Sequence, residues 1–197
     1  MTAISLAPAQ AVPDRAAAER AVADLLVALG VDLDDPHLAE TPRRVATALA
    51  EAITPEPFAP TTFPNLERYD ELVLVRDIPV RSLCQHHLLP FVGVAHVAYL
   101  PGERLIGLSK LARAVEHAAR RLQVQERLTH EVADWLATTL RPKGAGVVIE
   151  AEHSCMTWRG IRATGSLTVT SALRGVVRDD PRTRQEFLAL CRRPDHR

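Results

Sequence analysis

Two short clusters of metal-binding side chains constrain how this chain can fold. Residues 84–87 are Cys-Gln-His-His, and residues 153–155, about seventy positions later, are His-Ser-Cys. Together they offer two thiols and three imidazoles, which is a ligand set that zinc prefers. If one ion takes ligands from both clusters, the fold must bring two distant parts of the chain together. A disulfide between Cys84 and Cys155 is the alternative interpretation.

The spacing predicts a zinc site but leaves its type open. Cys84 and His87 are separated by two residues, so a turn can direct both side chains at one ion. His153 and Cys155 lie two positions apart on a predicted strand and therefore point to the same face. Four protein ligands would close the site, whereas three would leave a position for water. A histidine left over beside the metal is suited to act as a general acid or base.

Composition indicates a cytoplasmic protein without a nucleic-acid or membrane partner. The chain has 197 residues, a formal net charge of zero and three cysteines. This length predicts one domain with a small appendage, and the zero charge provides no global field for nucleic acid or an anionic membrane. No apolar run approaches the length of a membrane span, and residues 1–13 lack the lysine or arginine of a signal peptide. The few cysteines favour a reducing compartment, which disfavours a disulfide between Cys84 and Cys155.

The apolar pattern divides the chain into a helical arm with a linker, residues 1–65, and an α+β domain, residues 66–197. The arm has two predicted helices, Asp14–Leu29 and Thr41–Ile53, and the prolines that follow predict a linker that is neither helix nor strand. The domain has the predicted order strand, strand, helix, helix, strand, strand, helix, which indicates a four-stranded antiparallel sheet with two helices on one face. The predicted elements are Glu71–Ser82, Phe91–Leu100, Ser109–Leu122, Gln125–Leu140, Gly146–Cys155, Ser166–Val177 and Pro181–Arg192. The open edges of such a sheet favour assembly with copies of the same chain.

A second group of residues indicates an anion site. Ser109 and Lys110 open a predicted helix, and Arg113 lies on the same side of that helix as Lys110. Basic residues in a first turn oppose the helix dipole, an arrangement that makes sense if the helix N-terminus binds an anion such as phosphate. Arg159 and Arg162 add basic groups shortly after the second metal cluster. A solvated basic face is the alternative interpretation.

Five separated motifs stand in the segment from Val75 to Leu190. They are Cys84-x-His86-His87, Ile-Gly-Leu-Ser-Lys at 106–110, Gln-Val-Gln-Glu-Arg-Leu-Thr at 123–129, His153-x-Cys155, and Arg159-Gly160. These motifs resemble those of the GTP cyclohydrolase I family. Upstream, Glu-Thr-Pro-Arg-Arg at 40–44 is similar to the helical-arm motif of the same family. The resemblance covers about four-fifths of the chain, and the motifs stand in the order of the family.

The resemblance implies a zinc enzyme that converts GTP to 7,8-dihydroneopterin triphosphate and formate, the first step of folate and pterin biosynthesis. In the family, water adds at C8 of guanine and the imidazole ring opens. The formyl group is then hydrolysed, and the ribose rearranges and recloses. The implied zinc ligands are Cys84, His87 and Cys155, with water in the fourth position. The implied proton-transfer residues are His86 and His153.

The resemblance also implies how GTP and other subunits are held. Glu126 would recognise the guanine edge, with Gln125 close by. The implied triphosphate contacts are Ser109, Lys110, Arg113 and Arg159, together with Arg44 reaching over from a neighbouring subunit. The implied architecture is the tunnelling fold, assembled as a toroidal homodecamer with active sites between subunits.

Three departures from the family pattern leave other interpretations open. Gln85 stands where the family usually has Glu, Leu122 stands where it usually has Pro, and the region between the arm and the first strand is short. The missing carboxylate removes a charge that would favour the protonated form of His86. A tunnelling-fold paralogue acting on a related purine or pterin in a secondary pathway is therefore a second hypothesis. A zinc-stabilised assembly protein without catalysis is a third.

Overall fold

The computed structural model describes residues 12–192, and its N-terminal part is a pair of helices. α1 (Arg15–Ala28) begins after Asp14, whose carboxylate caps the helix by accepting a backbone hydrogen bond. α2 (Thr41–Ile53) packs against α1 and touches the sheet of the domain. None of the helices in this range is both long and apolar enough to cross a membrane. Residues 1–11, part of the stretch predicted to lack a signal peptide, lie outside the described residues.

The proline-rich linker ends in a short strand. Residues 54–61 form neither helix nor strand, as predicted, but β1 (Thr62–Pro64) pairs antiparallel with β4 (Arg104–Ile106). The prediction that the linker contains no strand is therefore wrong at residues 62–64. Pro64 is tolerated because both strands of a two-stranded sheet are edge strands.

Four long antiparallel strands form most of the main sheet, in the spatial order β2, β3, β6, β7. Their bounds are β2 (Val73–Cys84), β3 (Pro90–Leu100), β6 (Gly144–His153) and β7 (Thr168–Gly175). Each predicted strand end lies within about two residues of the observed one, which is the ordinary uncertainty of an element boundary. β2 and β7 alternate more and less buried residues over part of their length, which gives the period-two pattern, whereas most of β6 is buried.

A fifth strand makes the main sheet mixed. β5 (Leu122–Gln123) pairs in parallel with the end of β2, with Leu83 opposite Leu122 and Cys84 opposite Gln123. The prediction of a four-stranded sheet is therefore wrong by one strand, and the predicted helix Ser109–Leu122 is too long at its C-terminal end. The chain leaves the helix there because its extended backbone pairs with the otherwise open edge of β2.

Helices cover both faces of the sheet. α3 (Leu108–Ala119) and α4 (Gln125–Leu140) pack on one face and bury the larger core, as the prediction of two helices on one face requires. The short α6 (Val176–Asp179) and the closing helix α7 (Pro181–Cys191) pack on the opposite face over a smaller core. Gly146 on β6 makes room for α7, because a Cβ there would lie 2.7 Å from the ring of Phe187.

Candidate metal centre and active site

The two sequence clusters meet at one end of the main sheet. Cys84 is the last residue of β2, and Cys155 lies in α5 (Ser154–Thr157), the single turn that follows β6. β3 begins between these two strand ends, with Phe91 directly opposite His153 of β6. Residues about seventy positions apart in the sequence therefore become neighbours because β2, β3 and β6 are adjacent and antiparallel.

A tight turn between β2 and β3 holds His87 next to Cys84. The backbone N–H groups of His87 and Leu88 donate to the Cys84 carbonyl at 3.3 and 2.9 Å, and the Cys84 N–H donates to the Leu89 carbonyl at 2.8 Å. Leu88 has a φ of 55°, a left-handed conformation that costs a residue with a Cβ roughly 1–2 kcal/mol. Strained backbone thus stands directly beside two candidate ligands, as is common at functional sites.

Three of the five candidate ligands form a compact group. The ligand atoms of Cys84, His87 and Cys155 all lie within 4.8 Å of one another. The Cys84 Sγ–His87 Nδ1 distance is 3.7 Å, and tetrahedral zinc with ordinary bond lengths separates such ligand atoms by about 3.6–3.8 Å. His86 Nδ1 lies 3.8 Å from Cys84 Sγ, yet His86 is not part of the three-residue group. The group could therefore hold a metal ion and leave one tetrahedral position free.

The electrostatics of the two thiols fit a divalent cation. Burial raises the pKa of the Cys155 thiol, and the neighbouring Cys84 raises it further, while Arg159 opposes these effects weakly. Two thiolates side by side are unfavourable without a positive charge between them. A bound cation would supply that charge and favour the deprotonated form in which cysteine acts as a ligand.

His153 lies beside this group but points into a different environment. Its ring stacks on Phe91, with 4.7 Å between ring centroids and 10° between the planes. Its Nε2 lies 2.8 Å from Oε1 of Gln125 at the start of α4. Burial lowers the pKa of His153, and the nearby Glu126 carboxylate opposes that shift. The histidine is therefore held in a fixed orientation and favoured in its neutral form.

The two residues that open α4 have different surroundings. The side chain of Gln125 is buried and hydrogen-bonded to His153 and to the backbone of β6 and β7. Glu126 is exposed, and it is close enough to His153 to affect its pKa. Glu126 thus offers a solvent-exposed carboxylate near His153, whereas the Gln125 amide is hydrogen-bonded within the protein.

Gln85 contacts one of the two exposed histidines. Its Nε2 lies 3.3 Å from Nε2 of His86, so the amide can donate a hydrogen bond to the ring. The backbone N–H of Gln85 donates to the Gln123 carbonyl at 2.9 Å, which ties the ligand turn to β5. The ring of His86 lies edge-to-face with that of His87, with centroids 6.2 Å apart. The backbone of Gln85 is therefore fixed within the turn that carries the candidate ligands, while its side chain is exposed.

The predicted phosphate-binding helix does not reach this metal centre within one chain. The Ser82 hydroxyl donates to the Ala119 carbonyl at 2.6 Å, so the C-terminal end of α3 lies beside the end of β2. Ser109 and Lys110 lie in the first turn of α3, about 15 Å further along the helix axis at 1.5 Å per residue. Arg113 lines a groove near the middle of β2 rather than the metal centre.

The remaining basic residues of the prediction are exposed. Arg159 follows α5 and acts electrostatically on Cys155, so it lies near the group of three candidate ligands. Arg44 lies in the first turn of α2 and is exposed, next to the ion pair between Arg43 and Glu40. Within one chain the structure brings Arg159 to the centre and leaves Arg44 directed away from the packed core.

Sequence comparison decides the family. The sequence model of GTP cyclohydrolase I matches residues 18–192. The chain belongs to the GTP cyclohydrolase I family. A relative from Rhodopirellula baltica, described as GTP cyclohydrolase 1, is 52% identical over 183 residues, covering 91% of this chain and 80% of the relative. Relatives of the same description from Aquifex aeolicus and Acetivibrio thermocellus are 51% identical over 179 residues and 49% identical over 181 residues. They cover 91% and 90% of this chain and 97% of their own lengths.

One solved structure is only distantly similar. The crystal structure of the archaeosine synthase QueF-Like in the apo form covers 53% of this chain and 93% of its own, with a TM-score of 0.44 and 14% sequence identity. A likeness at this level bears on neither the fold nor the function of this member of the GTP cyclohydrolase I family.

Sequence reasoning missed two side-chain contacts in this member of the GTP cyclohydrolase I family. Phe91, the stacking partner of His153, reads in the sequence as an ordinary core residue of a strand. Arg121 is buried beside Glu131 at the junction of α3 and α4, where the two form an ion pair. Alternation on β3 could have indicated a buried Phe91, but no periodicity signals that a particular arginine is buried.

Proposed function

We propose that this chain catalyses the zinc-dependent conversion of GTP to 7,8-dihydroneopterin triphosphate and formate, the first step of folate and pterin biosynthesis, in the cytoplasm. The observation that carries the proposal is the group of Cys84, His87 and Cys155, with His86 and His153 beside it, in a chain of the GTP cyclohydrolase I family. Three protein ligands are typical of catalytic zinc, because the fourth position stays open.

Cys84, His87 and Cys155 would hold the zinc ion. Two sulfurs and one nitrogen at these separations suit its ligand preference and its tetrahedral geometry. When bound, zinc supplies Lewis acidity that polarises an oxygen of the reacting group.

The chain's own side chains bind the base and move protons. Glu126 accepts hydrogen bonds from the N–H groups of the guanine edge, for which an exposed carboxylate is well suited. His86 donates a proton to the ring nitrogen as water adds at C8, and His153 assists proton transfer at the ribose. Loss of formate and reclosure of the ring with the rearranged ribose complete a reaction with net consumption of one water.

The triphosphate is held by residues of a neighbouring subunit in a homo-oligomer, which we propose to be a toroidal decamer of tunnelling-fold subunits. Ser109, Lys110 and Arg113 lie on α3 away from the metal centre of their own chain, which supports this arrangement. The exposed Arg159 and Arg44 complete the basic surroundings, the latter from a neighbouring arm. Among residues 12–192, only the end of the outer β2 edge is paired, by β5, which favours contact of the rest of that edge with another subunit.

Mixed oligomers test the division of the site between chains. His86→Ala and Lys110→Ala subunits are each expected to be inactive alone, because one lacks proton transfer and the other lacks a phosphate contact. Unfolding and reassembling them together in equal amounts should restore about a quarter of wild-type activity, since that share of two-chain sites receives both intact residues. No recovery in correctly sized mixed oligomers would show that each chain supplies a complete site.

Product analysis tests the reaction itself. Purified protein incubated with GTP should release formate and an equal amount of a pterin that becomes fluorescent on oxidation. His86→Ala and His153→Ala should keep their zinc and lose at least about 100-fold in turnover, because each removes a general acid or base. A protein that binds zinc but releases no formate from GTP would contradict the proposal. Turnover of a related purine in its place would favour the paralogue hypothesis.

A further inference from the structure

The amide of Gln125 is enclosed by the protein. The residue is 1% exposed, and its Nε2 lies 3.0 Å from the Ile149 carbonyl oxygen, 2.9 Å from that of Thr168 and 3.1 Å from Thr170 Oγ1. Its Oε1 lies 2.8 Å from His153 Nε2. These contacts use the amide within the chain and leave it no face for a substrate.

The contacts of the amide nitrogen fix which end of Gln125 faces the histidine. Two of its three partners are the backbone carbonyl oxygens of Ile149 and Thr168, which only accept hydrogen bonds. An amide turned by 180° would place its own oxygen against both of these carbonyl oxygens, and no proton would lie between the acceptors. Oε1 must therefore face His153, and a carbonyl oxygen needs a donor there.

The donor requirement determines the tautomer of His153. Nε2 has to carry a proton to bond Gln125 Oε1, and a neutral imidazole has only one N–H. Nδ1 is then the ring nitrogen with a free lone pair. The stacking contact with Phe91 fixes the plane of the ring, while the bond to Gln125 fixes its rotation within that plane.

We infer that Gln125 is a positioning residue, which holds His153 in the Nε2-protonated tautomer so that Nδ1 exchanges the proton with the substrate. The inference rests on the role proposed above for His153. It assigns Gln125 to the histidine, whereas the family resemblance places it close to the guanine edge.

Nitrogen-15 magic-angle-spinning NMR of histidine-labelled protein reads the tautomer without any turnover. The His153 signals are identified by their loss in His153→Ala. At about pH 8 the wild type should show a protonated Nε2 and a bare Nδ1. Gln125→Met keeps the length of the side chain but removes the acceptor, and it should show a second tautomer. A wild-type protein with its proton on Nδ1, or a variant with unchanged signals, would overturn the inference.

Gln123→Met is the matched control. Gln123 is another fully buried glutamine two residues earlier, and its amide bonds the Ala118 carbonyl, Glu131 and Arg127 rather than a histidine. This variant should lose similar stability and keep the wild-type His153 signals. If it shifted the tautomer as much as Gln125→Met does, disturbance of the β5–α4 segment would be the cause, and the inference would fail.

Kinetics separate positioning from substrate contact. Gln125→Met should lower kcat by roughly 10- to 100-fold, as expected for loss of a residue that orients a functional histidine. Its KM for GTP should stay within about threefold of wild type, with the zinc content unchanged. A raised KM with normal kcat would assign Gln125 to guanine and overturn the inference. If the tautomer is as inferred but the wild type releases no formate, the proposed function fails on its own.

Discussion

The buried ion pair between Arg121 and Glu131 yields a quantitative prediction about the segment that carries the site. Arg121 is 8% exposed, and burial lowers its pKa, with a smaller contribution in the same direction from Arg127. Its Nη2 meets Glu131 Oε2 as an ion pair, and its Nε has no hydrogen-bond partner among the described residues. Glu131 also accepts from Gln123 Nε2 at 3.0 Å. Glu131→Ala would therefore remove the carboxylate that pairs with the buried Arg121 charge and one of the two acceptors of the Gln123 amide N–H groups.

The expected cost follows from the burial of the pair. Removing one partner of a buried ion pair costs about 3–5 kcal/mol. The Glu131 side chain is 26% exposed, so water can reach the vacated position. That access reduces the expected cost to about 2–4 kcal/mol. For a chain of this size, 1 kcal/mol shifts the midpoint of thermal unfolding by about 2–4 °C, so the Tm should fall by roughly 5–15 °C.

Asp134→Ala on the same helix is the matched control for this prediction. Asp134 pairs with Arg174 at 2.7 Å, but its side chain is 61% exposed, so the pair should contribute less than about 1 kcal/mol. Circular dichroism at one fixed protein concentration gives both Tm values under equal conditions, since the stability of an oligomer depends on concentration. Equal Tm shifts in the two variants would refute the reasoning from burial.

Two further predictions concern single residues. Gln85→Glu places a carboxylate where the amide now lies 3.3 Å from His86 Nε2 and favours the protonated ring, so formate release at neutral pH should be unchanged or faster. A sharp loss would show that the amide itself has a role. Burial raises the pKa of Cys191 to about 11, so the folded state keeps this thiol protonated after the unfolded state has lost its proton. Deprotonation of the unfolded state alone favours unfolding between about pH 9 and 11. The free energy of unfolding therefore keeps this contribution, on the order of 2–3 kcal/mol, below about pH 9 and loses it as the pH rises to about 11. The free energy of unfolding measured in urea should therefore fall more over this pH range for the wild type than for Cys191→Ala. Parallel curves of this free energy against pH would contradict the prediction.

The sequence predicted the long elements well because each is long enough for its apolar residues to repeat with the period of a helix or a strand. α4 begins and ends at its predicted residues, Gln125 and Leu140, and α2 does so at Thr41 and Ile53. β5 and β1 have too few residues to show alternation, and β5 exists only because the end of β2 offers it a partner. The face on which α7 packs was also beyond prediction, since it depends on the space that Gly146 leaves for Phe187.

At the site, the sequence identified the two clusters but could not show which of their side chains form the three-residue ligand group. Spacing alone offered two thiols and three imidazoles, and only the fold separates His87, which lies within reach of both sulfurs, from His86 and His153. The tautomer of His153 depends on carbonyl groups of β6 and β7, which carry no sequence signal. Which chain supplies the phosphate contacts depends likewise on the length and direction of α3.

Zinc titration of metal-free protein tests the central claim most directly. Formate release from GTP should be absent without metal, rise in proportion to added zinc and level off at about one ion per chain, because Cys84, His87 and Cys155 form one three-ligand group. Cys155→Ala should neither bind zinc with the same affinity nor recover activity. Full formate release from protein kept free of metal, or one tightly bound zinc ion per chain without any formate release, would contradict the account.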